Sequence, residues 1–193
     1  MKKLLYINAC IRKTESRTLT LAAPIIRALS ARYDIEEIDL TESALLPLDY
    51  HRYNARAAGS QDPLCLDYAT RVAQADRIVF AAPFWDMSFP AMLKVFCEQV
   101  SLYGITFGGN PDGSTHGLCN AQKMMLITTR GMEIADNSPL DQGSSYLKAI
   151  GWLWGIPELE VISAHGMDVC SAVECDRRLQ EAAVRGQSIA ASF

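Results

Sequence analysis

Residues 77–89 read R-I-V-F-A-A-P-F-W-D-M-S-F and open with a nearly continuous apolar run, Arg77–Ala82, that Pro83 ends. A second run of this kind, K-M-M-L-I-T-T over residues 123–129, is followed by Arg130 and Gly131. Short apolar runs without polar alternation are typical of strands buried on both faces, as in a parallel sheet. The two runs therefore predict two central strands of such a sheet.

Weaker patterns on either side of these runs predict the rest of the sheet. Residues 4–8, 35–40 and 160–164 are expected to be strands, and residues 19–33, 65–75, 90–103, 142–154 and 172–192 are expected to be helices. Strands that alternate with helices predict an α/β fold, a doubly wound five-stranded parallel sheet with helices on both faces. We expect one domain over residues 1–193. Residues 44–62 are expected to be an irregular connection and residues 108–117 a turn-rich loop.

The composition narrows the class of partner. A net charge of −4 offers no basic surface for nucleic acid, and no stretch approaches the roughly 18 apolar residues of a membrane span, so we expect a small-molecule substrate, no nucleic acid and no membrane. No export signal is visible, which predicts a cytoplasmic protein. The six cysteines contain no C-x-x-C pair and the three histidines lie far apart, so reduced thiols and no metal site are expected.

Three loops are the expected ligand site. In an open parallel sheet, ligands bind beyond the carboxyl ends of the strands, near the point where the strand order reverses. The loops after the first, third and fourth predicted strands are residues 9–18, 83–89 and 129–132.

The first loop has the chemistry of a phosphate site. Ser16 and Thr18 lead into a predicted helix beside Arg12 and Arg17, and the unpaired N–H groups at a helix start favour an anion. The same hydroxyls are equally compatible with simple helix capping. There is no G-x-G-x-x-G and no G-K-[ST] motif, which argues against a primary dinucleotide fold or a P-loop.

The second loop is aromatic. Phe84, Trp85, Met87 and Phe89 follow a buried strand directly, where flat apolar side chains suit a flat ligand such as a flavin ring. Alternatively, these side chains pack beneath the following helix. In the third loop, Gly131 permits close approach of a ligand to the backbone.

At these loops the sequence resembles the FMN-dependent NADH azoreductases and related NAD(P)H quinone oxidoreductases, over nearly the whole chain. The motifs that carry the resemblance are A-P-F-W-D-M (82–87), G-I-T-F (104–107), T-T-R-G (128–131), Y-L (146–147), W-G-I (154–156) and A-H-G (164–166). The resemblance implies a flavodoxin-like fold, FMN as cofactor, NAD(P)H as co-substrate and a homodimer. It also implies ping-pong hydride transfer from NAD(P)H to a quinone or azo compound. The flavin would carry this chemistry, so no catalytic side chain is required.

The resemblance also assigns residues to the parts of FMN. The implied cofactor-binding residues are Cys10, Arg12, Ser16, Arg17 and Thr18 at the phosphate, Pro83, Phe84, Trp85, Asp86 and Met87 along the isoalloxazine, and Thr129, Arg130, Gly131 and Met132 at its pyrimidine end. The expected walls of the substrate pocket are Phe89, Tyr103, Phe107, Tyr146 and His165, although a solvent-facing His165 is the simpler alternative.

Several positions depart from the family pattern, and three of these departures bear on the chemistry of the site. Cys10 replaces a usual serine, Asp86 a usual asparagine and Met132 a usual glycine. A carboxylate at position 86 would disfavour a reduced, anionic flavin through like-charge repulsion. These departures affect the expected substrate and the expected reduction potential of the flavin more than they affect the expected fold.

Two other functions compete with this interpretation. One is an FMN-binding electron carrier or regulator without nicotinamide turnover. The other is a low-molecular-weight phosphatase, whose C-x5-R-[ST] loop is approached by Cys10 and Arg17-Thr18, one residue too late. A phosphate loop around a thiolate tolerates such an insertion poorly.

Overall fold

The chain folds around a parallel sheet of five strands, in a computed structural model that describes residues 1–193. In spatial order its strands are β2 (Tyr33–Asp39), β1 (Lys2–Asn8), β3 (Arg77–Ala81), β6 (Lys123–Thr129) and β7 (Glu158–Ala164). This order confirms the predicted doubly wound topology. Because β1 pairs with both β2 and β3, the strand order reverses there.

Helices cover both faces of the sheet. They are α1 (Arg17–Ser30), α2 (Tyr50–Ala57), α3 (Pro63–Gln74), α4 (Ala91–Val100), α5 (Gln142–Trp154) and α6 (Ala172–Ala190). Ile25 of α1 and Leu179 of α6 belong to one buried cluster. Val72 of α3, Phe96 of α4 and Trp154 of α5 belong to the other. No helix has the length and apolar character needed to cross a membrane.

The two clusters explain why the central strands lack polar alternation. In β1, Leu4 and Tyr6 join the cluster under α1 and α6, whereas Leu5 and Ile7 join the cluster under α3, α4 and α5. Successive side chains of a strand point to opposite faces, so a strand covered on both sides needs apolar residues at every position. The apolar runs predicted this arrangement correctly.

Three details of the predicted secondary structure were wrong. Tyr33 begins β2 instead of ending α1, which stops at Ser30. The connection of residues 44–62 contains α2, which starts where the Asp49 carboxylate accepts from the Arg52 N–H at 2.8 Å. α2 buries no residue, and its sequence, Y-H-R-Y-N-A-R-A, contains no aliphatic side chain larger than alanine, so it lacks the apolar content expected of a helix that packs on the core. The loop of residues 108–117 contains an antiparallel hairpin, β4 (Phe107–Gly109) and β5 (Thr115–Gly117).

The expectation of six reduced thiols was also wrong. Cys170 and Cys175 are joined by a disulfide, with Cα atoms 5.8 Å apart, a separation within the range that disulfides require. Cys170 precedes Ser171, the N-cap of α6, and Cys175 lies in the first turn of that helix. The chain reversal at the helix start brings the two sulphurs together, although the spacing is not C-x-x-C.

Candidate functional site

A cavity of about 140 Å³ opens at the carboxyl ends of the central strands. All three loops singled out by the sequence contribute to it. The lining residues are Arg12, Ser16, Arg17, Thr18, Pro83, Phe84, Trp85, Thr129, Gly131, Met167 and Asp168. Nine of them were predicted cofactor-binding residues, which the parallel sheet brings together because its carboxyl ends share one edge.

The start of α1 forms one end of the cavity. Ser16 is the N-cap, and its hydroxyl accepts from the Leu19 N–H at 3.3 Å. The N–H groups of Arg17 and Thr18 precede the first possible helical hydrogen bond and point out of the helix start. Together with the guanidinium groups of Arg12 and Arg17, they make this end of the cavity suitable for an anion. Ser16 therefore both caps the helix and borders the cavity.

A hydrogen-bonded pair of threonine hydroxyls lies at the base of the cavity. The Thr18 and Thr129 hydroxyl oxygens lie 2.7 Å apart, and both residues are buried. This hydrogen bond joins the start of α1 to the end of β6. The backbone continues the connection, since the Phe84 N–H donates to the Thr129 carbonyl at 3.0 Å. The start of α1 and the aromatic loop are thus held at a fixed distance from each other.

The aromatic loop is a tight turn over Trp85–Ser88. The Trp85 and Ser88 backbones pair in both directions, at 3.2 and 2.8 Å. Asp86 and Met87 lie at the tip with φ of 49° and 64°, the left-handed pair that a type I′ turn requires. The turn is anchored to α5, where the Gln142 N–H donates to the Met87 carbonyl at 2.9 Å. As a result, Trp85 and Met87 stand partly exposed beside the cavity.

The Arg130 side chain lies beneath the cavity and not in it. It is fully buried, donates to the Ile134 carbonyl at 2.7 Å and forms ion pairs with Asp136 at 2.9 Å and Asp141 at 2.7 Å. Its guanidinium lies 5.5 Å from the centre of the Phe84 ring. Arg130 therefore supports the loops that line the cavity, and its side chain cannot reach a ligand there without leaving this network.

Cys10 is likewise buried below the loop. Its thiol donates to the Ala81 carbonyl at 3.4 Å. Burial raises the pKa of the thiol to about 11, an effect that the hydrogen bond with Ser16 only partly offsets. A thiol held neutral in the core is not a nucleophile. The geometry therefore argues against the phosphatase reading.

Both a family model and individual relatives match nearly the whole chain. The family model described as "Flavodoxin-like fold" matches residues 2–188. An FMN-dependent NADH:quinone oxidoreductase of Clostridium perfringens is 32% identical, with 100% of both chains covered. One from Clostridium beijerinckii is 30% identical over 100% of both chains. The chain belongs to this oxidoreductase family.

Solved structures agree on the fold of the family. An FMN-dependent NADH-azoreductase from Bacillus anthracis, in complex with FMN, superposes with a TM-score of 0.85 at 20% identity, covering 100% of this chain and 99% of the other. An azoreductase from another strain of that species gives 0.86 at 19% identity.

The remaining residues assigned from the family pattern do not line the cavity. Phe89 and Tyr146 pack edge to face at 5.6 Å between the aromatic turn and α5, and Tyr103 and Phe107 pack at 5.8 Å beside the hairpin. Met132 is largely exposed.

His165 also lies outside the cavity. Its Nδ1 lies 3.1 Å from the Glu133 carboxylate, which also accepts from Arg178 of α6 at 2.9 Å. These contacts hold His165 in a charged cluster at the surface.

Sequence reasoning missed Met167 and Asp168. Asp168 accepts from Arg17 at 2.6 Å, and its N–H donates to the Gly131 carbonyl at 3.0 Å. A side chain at position 131 would displace the Asp168 carboxylate, since a Cβ built there lies 2.0 Å from its oxygen. The signal was available, because both residues follow β7 and the carboxyl end of that strand lies at the same sheet edge.

Proposed function

We propose that the protein binds FMN in this cavity and uses it to carry electrons from NADH to a quinone or azo compound. The observation that supports the proposal most directly is the joining of two unlike surfaces in one cavity. An anion-binding helix start lies at one end, and an aromatic turn lies at the other. FMN combines a phosphate with a planar apolar ring, so it matches both surfaces at once.

The phosphate would be held at the start of α1. Ser16 and Thr18 supply hydroxyl groups, and Arg17 and Thr18 supply free N–H groups. Arg12 and Arg17 supply guanidinium groups, which in this structure pair with Glu15 at 3.6 Å and Asp168 at 2.6 Å. Each of these groups donates to oxygen, and charge-assisted hydrogen bonds of this kind are stronger than neutral ones. The donor set therefore fits a phosphate.

The ring would lie along Phe84, Trp85 and Met87. Cofactor pockets usually measure about 300–1,000 Å³, whereas this cavity measures about 140 Å³. The cavity can enclose the phosphate end but not the ring, which would extend over the exposed Trp85 and Met87. A second copy of the chain would then cover the ring, so we propose a homodimer that completes the site.

When bound, FMN would supply the redox chemistry of hydride transfer between the nicotinamide and the second substrate. The chain's own part is to hold the cofactor in position and to shield its ring from water. The Trp85 ring excludes water from one side, and the turn's hydrogen bonds to Thr129 and Gln142 keep it in place. The Asp86 carboxylate at the turn tip opposes negative charge nearby and so lowers the affinity for an anionic ring. Because the two substrates would use the same open face, they would bind in turn.

Steady-state NADH oxidation by FMN-loaded protein, with a soluble quinone as acceptor, tests the proposal. We expect turnover with parallel double-reciprocal plots, and a loss of at least about tenfold in kcat/KM for Trp85→Ala. Val184→Ala, which removes an exposed apolar side chain on α6, is the control and should leave the rate unchanged. FMN binding without NADH oxidation would instead favour an electron carrier.

A further inference from the structure

The Cys170–Cys175 disulfide lies next to the anion-binding end of the cavity. Cys170 is two residues from Asp168, whose carboxylate accepts from Arg17 at 2.6 Å. Arg17 is one of the two guanidinium groups at the proposed phosphate position. The disulfide therefore lies beside the ion pair between Arg17 and Asp168.

The segment carrying Asp168 is fastened at two ends. On one side, the Met167 and Asp168 N–H groups donate to the Arg130 and Gly131 carbonyls, each at 3.0 Å. On the other side, the disulfide joins Cys170 to the first turn of α6. Reduction would remove the second attachment and leave the first.

The bond is placed where a thiol reagent can reach it. Both cysteines are half-buried, and the residues around them, including Val169 and Val173, are strongly exposed. An open cavity of about 430 Å³ is lined by Cys170, Cys175 and Asp168. The sequence separation is only 5 residues, so the bond constrains the unfolded chain little and stabilises the fold less than a long-range disulfide would. These features fit a labile disulfide better than a structural one.

We propose that Cys170 and Cys175 are a reversible thiol–disulfide site that sets the affinity of the cavity for FMN. This inference rests on the proposed function. In the oxidised protein, Asp168 is held against Arg17, where its carboxylate neutralises the guanidinium and repels a phosphate. In the reduced protein, residues 169–170 are no longer fastened to Cys175, while the Asp168 backbone stays bonded to Gly131. The exposed Asp168 side chain can then turn away from Arg17, and the phosphate gains an unpaired cation.

The reductant is a dithiol. Its thiolate attacks one of the two cysteine sulphurs, the Cys170–Cys175 bond breaks, and the other cysteine leaves as a thiolate. The second thiol of the reductant then attacks the reductant's own sulphur in the mixed disulfide and releases the remaining cysteine. Two electrons and two protons pass to the cysteines, and the reductant becomes a cyclic disulfide. The freed Cys175 thiol has an acceptor at hand, because its sulphur lies 3.2 Å from the Met167 carbonyl oxygen.

The test is the Kd of FMN, followed by quenching of flavin fluorescence in oxidised protein and in protein held in dithiothreitol. Arg17 and Asp168 are both partly exposed, so the effect is that of one screened ion pair and we expect reduction to tighten binding roughly fivefold. Cys170→Ser/Cys175→Ser should bind as the reduced form does under both conditions. Asp168→Asn should bind tightly in both states. Cys119→Ser, which removes a half-buried free thiol, should respond like the wild type.

Equal Kd values in both states, with the disulfide and the free thiols verified by mass spectrometry, would overturn this inference and leave the proposed function standing. The same holds if oxidised protein contains two free thiols at positions 170 and 175. No FMN binding in either state would overturn both.

Discussion

Met87 carries the least favourable backbone conformation in the site. Its φ of 64° lies in the left-handed region, which costs a residue with a side chain about 1–2 kcal/mol relative to its usual conformation. Glycine is the residue preferred at this position of a type I′ turn. A strained residue that is also partly exposed beside the cavity is more consistent with ligand contact than with folding.

We therefore predict that Met87→Gly raises the free energy of unfolding by about 1 kcal/mol while weakening FMN binding. Urea denaturation and fluorescence titration measure the two effects. Met87→Ala keeps the strain and loses the side chain, so it should weaken binding without any gain in stability. A Met87→Gly protein that is less stable than the wild type would contradict the account.

Cys10 gives the site a pH-dependent stability. Burial raises the pKa of its thiol to about 11, from an ordinary value of 9.0. A group whose pKa is raised on folding stabilises the fold below its unfolded pKa, and this contribution is lost as the pH rises through the folded pKa. The affected range is therefore about pH 9 to 11.

Between pH 8 and pH 11, the wild type should lose about 2 kcal/mol more unfolding free energy than Cys10→Ala does. The comparison isolates this thiol, since the other buried groups titrate in both proteins. Chemical denaturation at a series of pH values gives the measurement. Parallel pH profiles for the two proteins would mean that Cys10 is not held neutral by the core.

At the scale of elements, the β4–β5 hairpin depends on one glycine. A Cβ at Gly117 would lie 1.9 Å from the Gly155 nitrogen and 2.0 Å from the Trp154 carbonyl carbon, both backbone atoms at the end of α5. Backbone cannot move aside as a flexible side chain does. The hairpin can therefore pack against α5 only with glycine at this position.

We predict that Gly117→Ala lowers the free energy of unfolding by about 3 kcal/mol or more, because the clash separates the hairpin from α5. Gly113→Ala is the matched control in the same hairpin. Gly113 has a φ of +85° but open space around it, so only backbone strain of about 1 kcal/mol applies. Similar losses for both variants would show that close packing at Gly117 does not hold the hairpin.

The elements that the sequence predicted well are those whose burial is complete. β6 was predicted with its observed ends and β3 to within one residue, because both faces of these strands are covered and each has an unbroken apolar run of four residues. α2 was missed because it buries nothing. The hairpin was predicted to be a loop because its strands are short and rich in glycine. One of these glycines, Gly117, is required because it packs directly against the Gly155 backbone. Local sequence carries no trace of such a distant contact.

At the scale of the whole molecule, the site follows from the topology. Three loops far apart in sequence meet because β1, β3 and β6 are adjacent and parallel. That much was predictable from strand order alone. Three other features could not be predicted from any single segment, because they depend on side-chain partners elsewhere in the fold. They are the buried position of the Arg130 side chain, the Arg17–Asp168 ion pair and the disulfide.

The same topology joins the ends of the proposed FMN site into one rigid unit. The Thr18–Thr129 hydrogen bond and the Phe84–Thr129 backbone bond tie the start of α1 to the aromatic turn. A ligand that presents both a phosphate and a planar ring should therefore bind far better than one that presents the ring alone.

Titration of the wild type with FMN and with riboflavin, which lacks the phosphate, tests this claim most directly. With quenching of flavin fluorescence as the signal, we predict one FMN per chain and a Kd for riboflavin at least about tenfold higher, the value of one charge-assisted contact. Equal affinity for the two flavins, or no binding of FMN, would contradict the account.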